Sequence, residues 1–259
     1  MTNRAQVKII VLGDSNATCR KHTKGSPIIR MWGKILVAVF LLINYKALPL
    51  VYYVRFYTQL LKHVLIPYYK YGAKNPLIAK LQKDTHGVFS TTVLHTYNSL
   101  FETDMYMHKN NGTYFVDMDI ARTELMSKIF VKSWMTCKKW PIVPVGSIHA
   151  IFKKEIKPLQ KYTIESNILC WDEKWIYVIC KFFIKNSKNE KILATYGLTK
   201  YVLKEGRKTI PPEGALEDCG LLNETVLEIN NKNLDILIAQ NGLIDSEKLI
   251  QLKHSYNYI

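Results

Sequence analysis

Acid is scarce in this chain. Its 259 residues carry 36 lysines and arginines against 21 aspartates and glutamates, a net charge of +15. A field of that sign attracts nucleic acid, anionic lipid and small phosphates alike, and does not choose among them. The basic residues are scattered, with no zinc-finger spacing and no aromatic-basic ribonucleoprotein signature, so nucleic acid is not the expected partner. Paired cysteines are missing too. Cys19, Cys137, Cys170, Cys180 and Cys219 are odd in number and widely spaced, and no two form a CxxC. That spacing suits neither a zinc site nor a disulfide framework and is read as reduced and structural, with Cys170 and Cys180 in predicted strands. His86, His95 and His149 show no metal spacing either, and neither metal nor cofactor is expected.

Residues 1–31 are basic, with Arg4, Lys8, Arg20, Lys21, Lys24 and Arg30 set against Asp14 alone. Two motifs there fail on inspection. Val7 to Ser15 resembles the first strand and phosphate loop of a small GTPase, but the Gly-Lys-Ser/Thr that would cradle phosphate is absent. Gly13-Asp14-Ser15 could open a serine hydrolase, but His254 lacks an aspartate three residues before it. A basic, acid-poor tail is also what a mitochondrial presequence looks like, although its helical Arg/Leu face is poorly formed.

Ile35 to Val54 could supply the roughly 20 residues needed to cross a bilayer, but only by including Asn44, Lys46 and Pro49. Trp32, Tyr45, Tyr52 and Tyr53 would mark the interfaces. The expectation is a membrane anchor over 32–62, the alternative a buried core helix, followed by a basic linker over 63–84.

The globular part is expected over 85–207. Ser90–Tyr97 alternates as a strand, a long amphipathic helix follows to about Ile129, and Val145–Ile156, Tyr162–Trp171, Trp175–Ile184 and Ile192–Leu203 read as further strands. In the third of these, Ile176, Val178, Cys180, Phe182 and Ile184 form one apolar face, and breaks of hairpin length predict an antiparallel meander. One strand, a long helix and a run of strands is an α+β pattern. Pro211-Pro212 ends the sheet, and 208–259 reads as a helical extension.

The stretch with most chemistry is Glu102-Thr103-Asp104-Met105-Tyr106-Met107-His108-Lys109-Asn110-Asn111-Gly112-Thr113-Tyr114. It begins as turn and capping chemistry, and Tyr114, Phe115, Met118, Ala121, Leu125 and Met126 then recur at helical steps. Asp104 and His108 are thereby predicted on a loop against a helix N-terminus, where backbone N–H groups and the macrodipole favour negative charge. A carbonyl could be polarised there. The bland reading is a helix cap worth about 1 kcal/mol and a turn. Asp117 and Asp119, two apart, point to different faces and are expected to be solvated or at a dimer contact.

This segment resembles that of the hotdog-fold acyl thioesterases, Asp-x-x-Gly-His-Val-Asn-Asn-x-x-Tyr followed by Ala-Arg-Thr-Glu. Asp104, His108, Asn110, Asn111, Tyr114 and Ala121-Arg122-Thr123-Glu124 match without a gap, and Met107 replaces the family glycine. The likeness is greatest to the membrane-anchored group called thioesterase superfamily member 6. It takes in the apolar N-terminal span, Cys170-Trp171-Asp172-Glu173 and Pro211-Pro212-Glu213. It implies a hotdog fold, an antiparallel sheet wrapped around a long central helix, behind an N-terminal membrane-anchor helix. It implies Asp104 as the catalytic carboxylate, with His108 orienting it or hydrogen-bonding the substrate, Asn110 and Asn111 fixing the turn or binding the thioester region, and Thr113 among the substrate-binding residues. The implied substrate is an acyl-CoA or acyl-carrier thioester, the implied assembly a homodimer, and the implied setting a membrane of the endoplasmic reticulum or mitochondrion. A hotdog domain without turnover, serving as a binding or assembly module at a membrane, is the alternative. Asn16, Asn111 and Asn223 open glycosylation sequons, and a glycan on Asn111 would obstruct the site.

Overall fold

A computed structural model describes residues 27–136 and 141–239. The basic tail before Pro27, with its phosphate-loop and serine-hydrolase motifs, lies outside the described residues, as do Cys137 and His254. The chain divides into two compact units, 1–42 and 43–259.

In the first unit, α1 (Pro27–Ile43) opens on a proline, whose missing N–H costs nothing at the first helical position. Its side chains from Ile28 onward are exposed. The expected span from Ile35 to Val54 does not form as one helix. After Ile43 the chain passes through a short 3-10 turn, Tyr45–Ala47, and Leu50 takes a left-handed φ of 67° before α2 (Val51–Leu60) begins. Lys46 is the physical reason, because its side chain is buried against carboxylates of the second unit. No helix among the described residues is long and apolar enough to cross a membrane.

From α2 the helix continues through a π turn, Leu61–Leu65, into α3 (Ile66–Tyr71). The stretch expected as a linker is thus largely helical, and α4 (Pro76–Lys83) completes it, capped by Asn75 Oδ1 on the N–H of Leu77. After β1 (Thr92–Tyr97) come the central helix α5 (Asn111–Ile129) and the short α6 (Val131–Thr136). The remaining strands are β2 (Val145–Phe152), β3 (Lys161–Trp171), β4 (Trp175–Lys185), β5 (Lys191–Glu205) and the short β6 (Lys208–Ile210). All pair antiparallel in the order β1-β3-β4-β5-β2, with β6 on β5. The expected meander is therefore β3-β4-β5, while β2 crosses to the far edge.

Alternation sets which side chains enter the core. Ile164 and Ile168 from β3, and Ile176, Val178, Cys180 and Phe182 from β4, are buried in one cluster with Met118, Ala121 and Leu125 of α5. Backbone and helix approach closely here: a Cβ on Gly197 of β5 would lie 2.5 Å from Met118 Cε. This is the hotdog arrangement, an antiparallel sheet around a central helix. Helix α5 is buried beyond its apolar stripe, Asp117, Arg122 and Ser127 included, because α2 packs along it as well. Past the sheet, α7 (Pro212–Cys219) and α8 (Glu224–Ala239) follow. Leu237 of α8 packs with Cys170 and Tyr177, so the extension lies on the sheet.

Candidate active site

The loop before α5 is a tight hairpin closed by pairing of Thr103 with Lys109. Asp104 N–H donates to the His108 carbonyl at 2.9 Å, and Met107 N–H to the Asp104 carbonyl at 3.1 Å. That turn needs a residue in the left-handed region. Met107 supplies it at φ 62°, the conformation the family glycine would adopt without strain. The base of the hairpin is strapped down by Lys109 N–H on the Ile156 carbonyl and by Asn110 N–H on the Glu102 carbonyl, each 2.8 Å. Its tip, Met105-Tyr106-Met107, is exposed.

Within the loop the structure brings Asp104 and His108 together, as predicted. Asp104 Oδ2 lies 3.3 Å from His108 Nδ1, and both side chains are partly exposed. Asp104 Oδ1 accepts from the N–H of Tyr106 at 2.9 Å, and the Tyr106 ring stacks on His108. The carboxylate thus accepts from one backbone donor and lies beside one imidazole, with part of its surface open. It also contributes to raising the Tyr114 pKa, after burial of that phenol.

The three predicted substrate-binding residues separate. Asn110 is the N-cap of α5: its Oδ1 accepts from Gly112 N–H at 2.9 Å and its carbonyl from Thr113 N–H at 3.0 Å. Thr113 Oγ1 donates to that same carbonyl at 2.7 Å. Asn110 and Thr113 are therefore engaged in building the helix end. Asn111 is exposed at the first helical position, and among the described residues its backbone N–H is left to point out of the helix end.

Behind the loop lies a cluster that sequence reasoning missed. Asp117 is fully buried, not solvated, because α2 and the sheet cover it from two sides. Its carboxylate receives Lys109 Nζ at 2.9 Å, Lys46 Nζ at 3.1 Å, Arg55 at 2.9 Å and the Tyr162 hydroxyl. Glu102, also buried, pairs with Lys46 at 2.9 Å and Lys109 at 3.7 Å. Three cations face two carboxylates in a dry setting. Although burial alone would raise it, the cations win and hold the Asp117 carboxyl far below its usual range, while burial pulls Lys109 down. Glu102 and Lys109 bracket the hairpin, so the cluster fixes the frame from which Asp104 projects. The available signal was Lys46, a charge inside an apolar stretch, which demands a buried acid as readily as a membrane surface.

The remaining predicted elements are plain. Cys170, Cys180 and Cys219 are free and buried, and burial pushes the Cys170 thiol up to about 12, so it stays an inert thiol. No group of three or more metal-ligating side chains occurs among the described residues.

Comparison with known proteins points to one family. The Thioesterase-like superfamily model matches residues 100–217. The probable thioesterase YBR096W of Saccharomyces cerevisiae is 47% identical over 221 residues, 85% of this chain and 94% of that protein. The probable thioesterase atnL of Emericella nidulans is 32% identical, over 70% of this chain and 69% of its own. Among solved structures, the 4-hydroxybenzoyl CoA thioesterase of Pseudomonas sp. strain CBS-3 overlaps 50% of this chain and 99% of its own at 15% identity and a TM-score of 0.41. With a relative of nearly one-in-two identity spanning most of both chains, and the family segment lying across the Asp104 hairpin and α5, the chain belongs to the thioesterase-like superfamily.

Proposed function

We propose that the chain hydrolyses acyl thioesters of coenzyme A or an acyl carrier at the N-terminus of α5. The observation that carries this reading is the Asp104 carboxylate, partly open and oriented by Tyr106 N–H and His108 at the mouth of a helix end. Asp104 takes a proton from water, and the water oxygen attacks the thioester carbonyl carbon. Charge developing on the carbonyl oxygen meets the N–H of Asn111 and the positive end of α5. The carbon–sulfur bond then breaks, and the proton held by Asp104 passes to the departing thiolate. His108 fixes the carboxylate's orientation. The net charge of +15 favours capture of a phosphate-bearing carrier.

The same reading includes a homodimer. Strand β2 is an edge with exposed Val145, Ile151 and Phe152, a surface that a second copy would cover. It also includes a membrane setting, of the endoplasmic reticulum or mitochondrion. The 17 residues of α1 rise only about 25 Å, short of the roughly 30 Å hydrocarbon core. Exposed Leu36, Val37 and Leu42 suit a helix that lies along or dips into the interface.

Thiol release from a panel of acyl-CoAs, measured beside Asp104→Ala, tests the enzyme. A general base contributes about 100- to 10,000-fold, so the variant should lose at least about 100-fold in kcat. The engagement of Asn110 and Thr113 in capping favours the second reading, a domain that binds without turnover. Absence of turnover in wild type and variant alike would establish it.

A further inference from the structure

The helix running from α2 through the π turn into α3 sets Val64 and Leu60 against the core, yet leaves a broad apolar surface on its outer side. Its inner face carries polar groups: Arg55 reaches Asp117, Tyr52 donates to Asp119, and His63 lies 3.9 Å from Glu124. Its outer face carries Tyr53, Val54, Tyr57, Leu61, Ile66 and Tyr69. Val54 and Tyr57 are each 62% exposed and Tyr69 84%, more than isolated surface residues account for. Steps of three and four put Tyr53, Val54, Tyr57 and Leu61 on one side. Lys62 and Lys70 are exposed among them. Between Asp14 and Asp84 the sequence contains no aspartate or glutamate at all.

We propose that the outer face of the α2–α3 helix is a docking surface for an anionic phospholipid bilayer. Tyrosine rings with aliphatic neighbours suit the headgroup boundary, and flanking lysines suit its negative potential. A second copy is the poorer occupant, because two acid-free faces would meet with like charge. The surface belongs to the second unit and needs neither α1 nor catalysis.

The experiment is co-sedimentation of the full chain with vesicles of phosphatidylcholine and phosphatidylserine, against phosphatidylcholine alone. It is run in the natural sequence and in a Leu36→Ser/Val37→Ser/Leu42→Ser background that weakens α1. In both backgrounds the chain should prefer the phosphatidylserine vesicles. Each lysine near such a surface is worth about fivefold, so Lys62→Glu/Lys70→Glu should weaken binding about twentyfold or more. Lys188→Glu/Lys208→Glu, equal in net charge but away from the helix, should change it by less than about threefold. Tyr53→Ser/Tyr57→Ser/Tyr69→Ser should weaken binding at unchanged unfolding midpoint, since these side chains face out. Binding that disappears once α1 is weakened assigns the membrane to α1 alone and overturns the proposal. So does unchanged binding by both outer-face variants, or a drop in sedimentation coefficient in those variants, which would mean that a second copy covers the face.

Discussion

A single side chain, Asp117, shows how far context governs a residue. Read along the helix, 117 and 119 point to different faces, and that geometry holds; what the sequence did not reveal is that the face bearing Asp117 is wholly buried, while Asp119 stays partly exposed beside Tyr52. Removing the charge leaves Lys46, Lys109 and Arg55 facing one another with only Glu102 between them. Asp117→Asn should therefore destabilise the fold by about 3–5 kcal/mol, the range for breaking a buried pair, read from urea unfolding. Met107 offers the opposite case. It pays left-handed strain of about 1–2 kcal/mol that glycine avoids, offset by the greater freedom glycine has when unfolded. Met107→Gly should leave stability equal or up to about 1 kcal/mol higher. The motif made Asp104 and His108 legible; it could not reveal that Asn110 and Thr113 would be taken up by capping, since the same residue types serve either purpose.

Among the elements, the strands and α5 were legible because alternation and helical steps are enforced by burial on one side. The helical segment from α2 to α3 was not, because apolar residues lie on both of its sides, Val64 buried in the core and Tyr53, Val54 and Tyr57 exposed, while Arg55 and Tyr52 turn inward to carboxylates. His63 sits on that inner side, in the π turn, with Nε2 lacking a hydrogen-bond partner among the described residues. Burial first, then the Lys128 ammonium, lowers its pKa from 6.5 to about 4, against the pull of Glu124. A histidine whose folded pKa is depressed resists protonation in the fold but not in the unfolded chain. Stability is then lost as pH falls from about 6.5 towards 4. His63→Gln, which does not titrate, should flatten the slope of unfolding free energy over that window; an unchanged slope would remove His63 as its source.

At the scale of the molecule, the α+β order was readable from periodicity, but the strand crossing that places β2 at an edge was not, since nothing in an alternating pattern names its neighbour. That edge sets the expected assembly. Ile151→Lys, on an exposed position of β2, should shift the mass in solution from dimer to monomer without lowering the unfolding midpoint by more than a few degrees.

Lys46 and Arg55 come from chain well before the family segment, yet they supply two of the three positive charges around Asp117. The natural boundaries of this candidate site are therefore not those at which its recognisable sequence begins. A fragment trimmed to 100–217 would keep Asp104, His108 and all of α5, but of the three cations around its two buried carboxylates it would keep Lys109 alone. For anyone transplanting this site into another hotdog scaffold, the minimal portable unit starts at the turn holding Lys46.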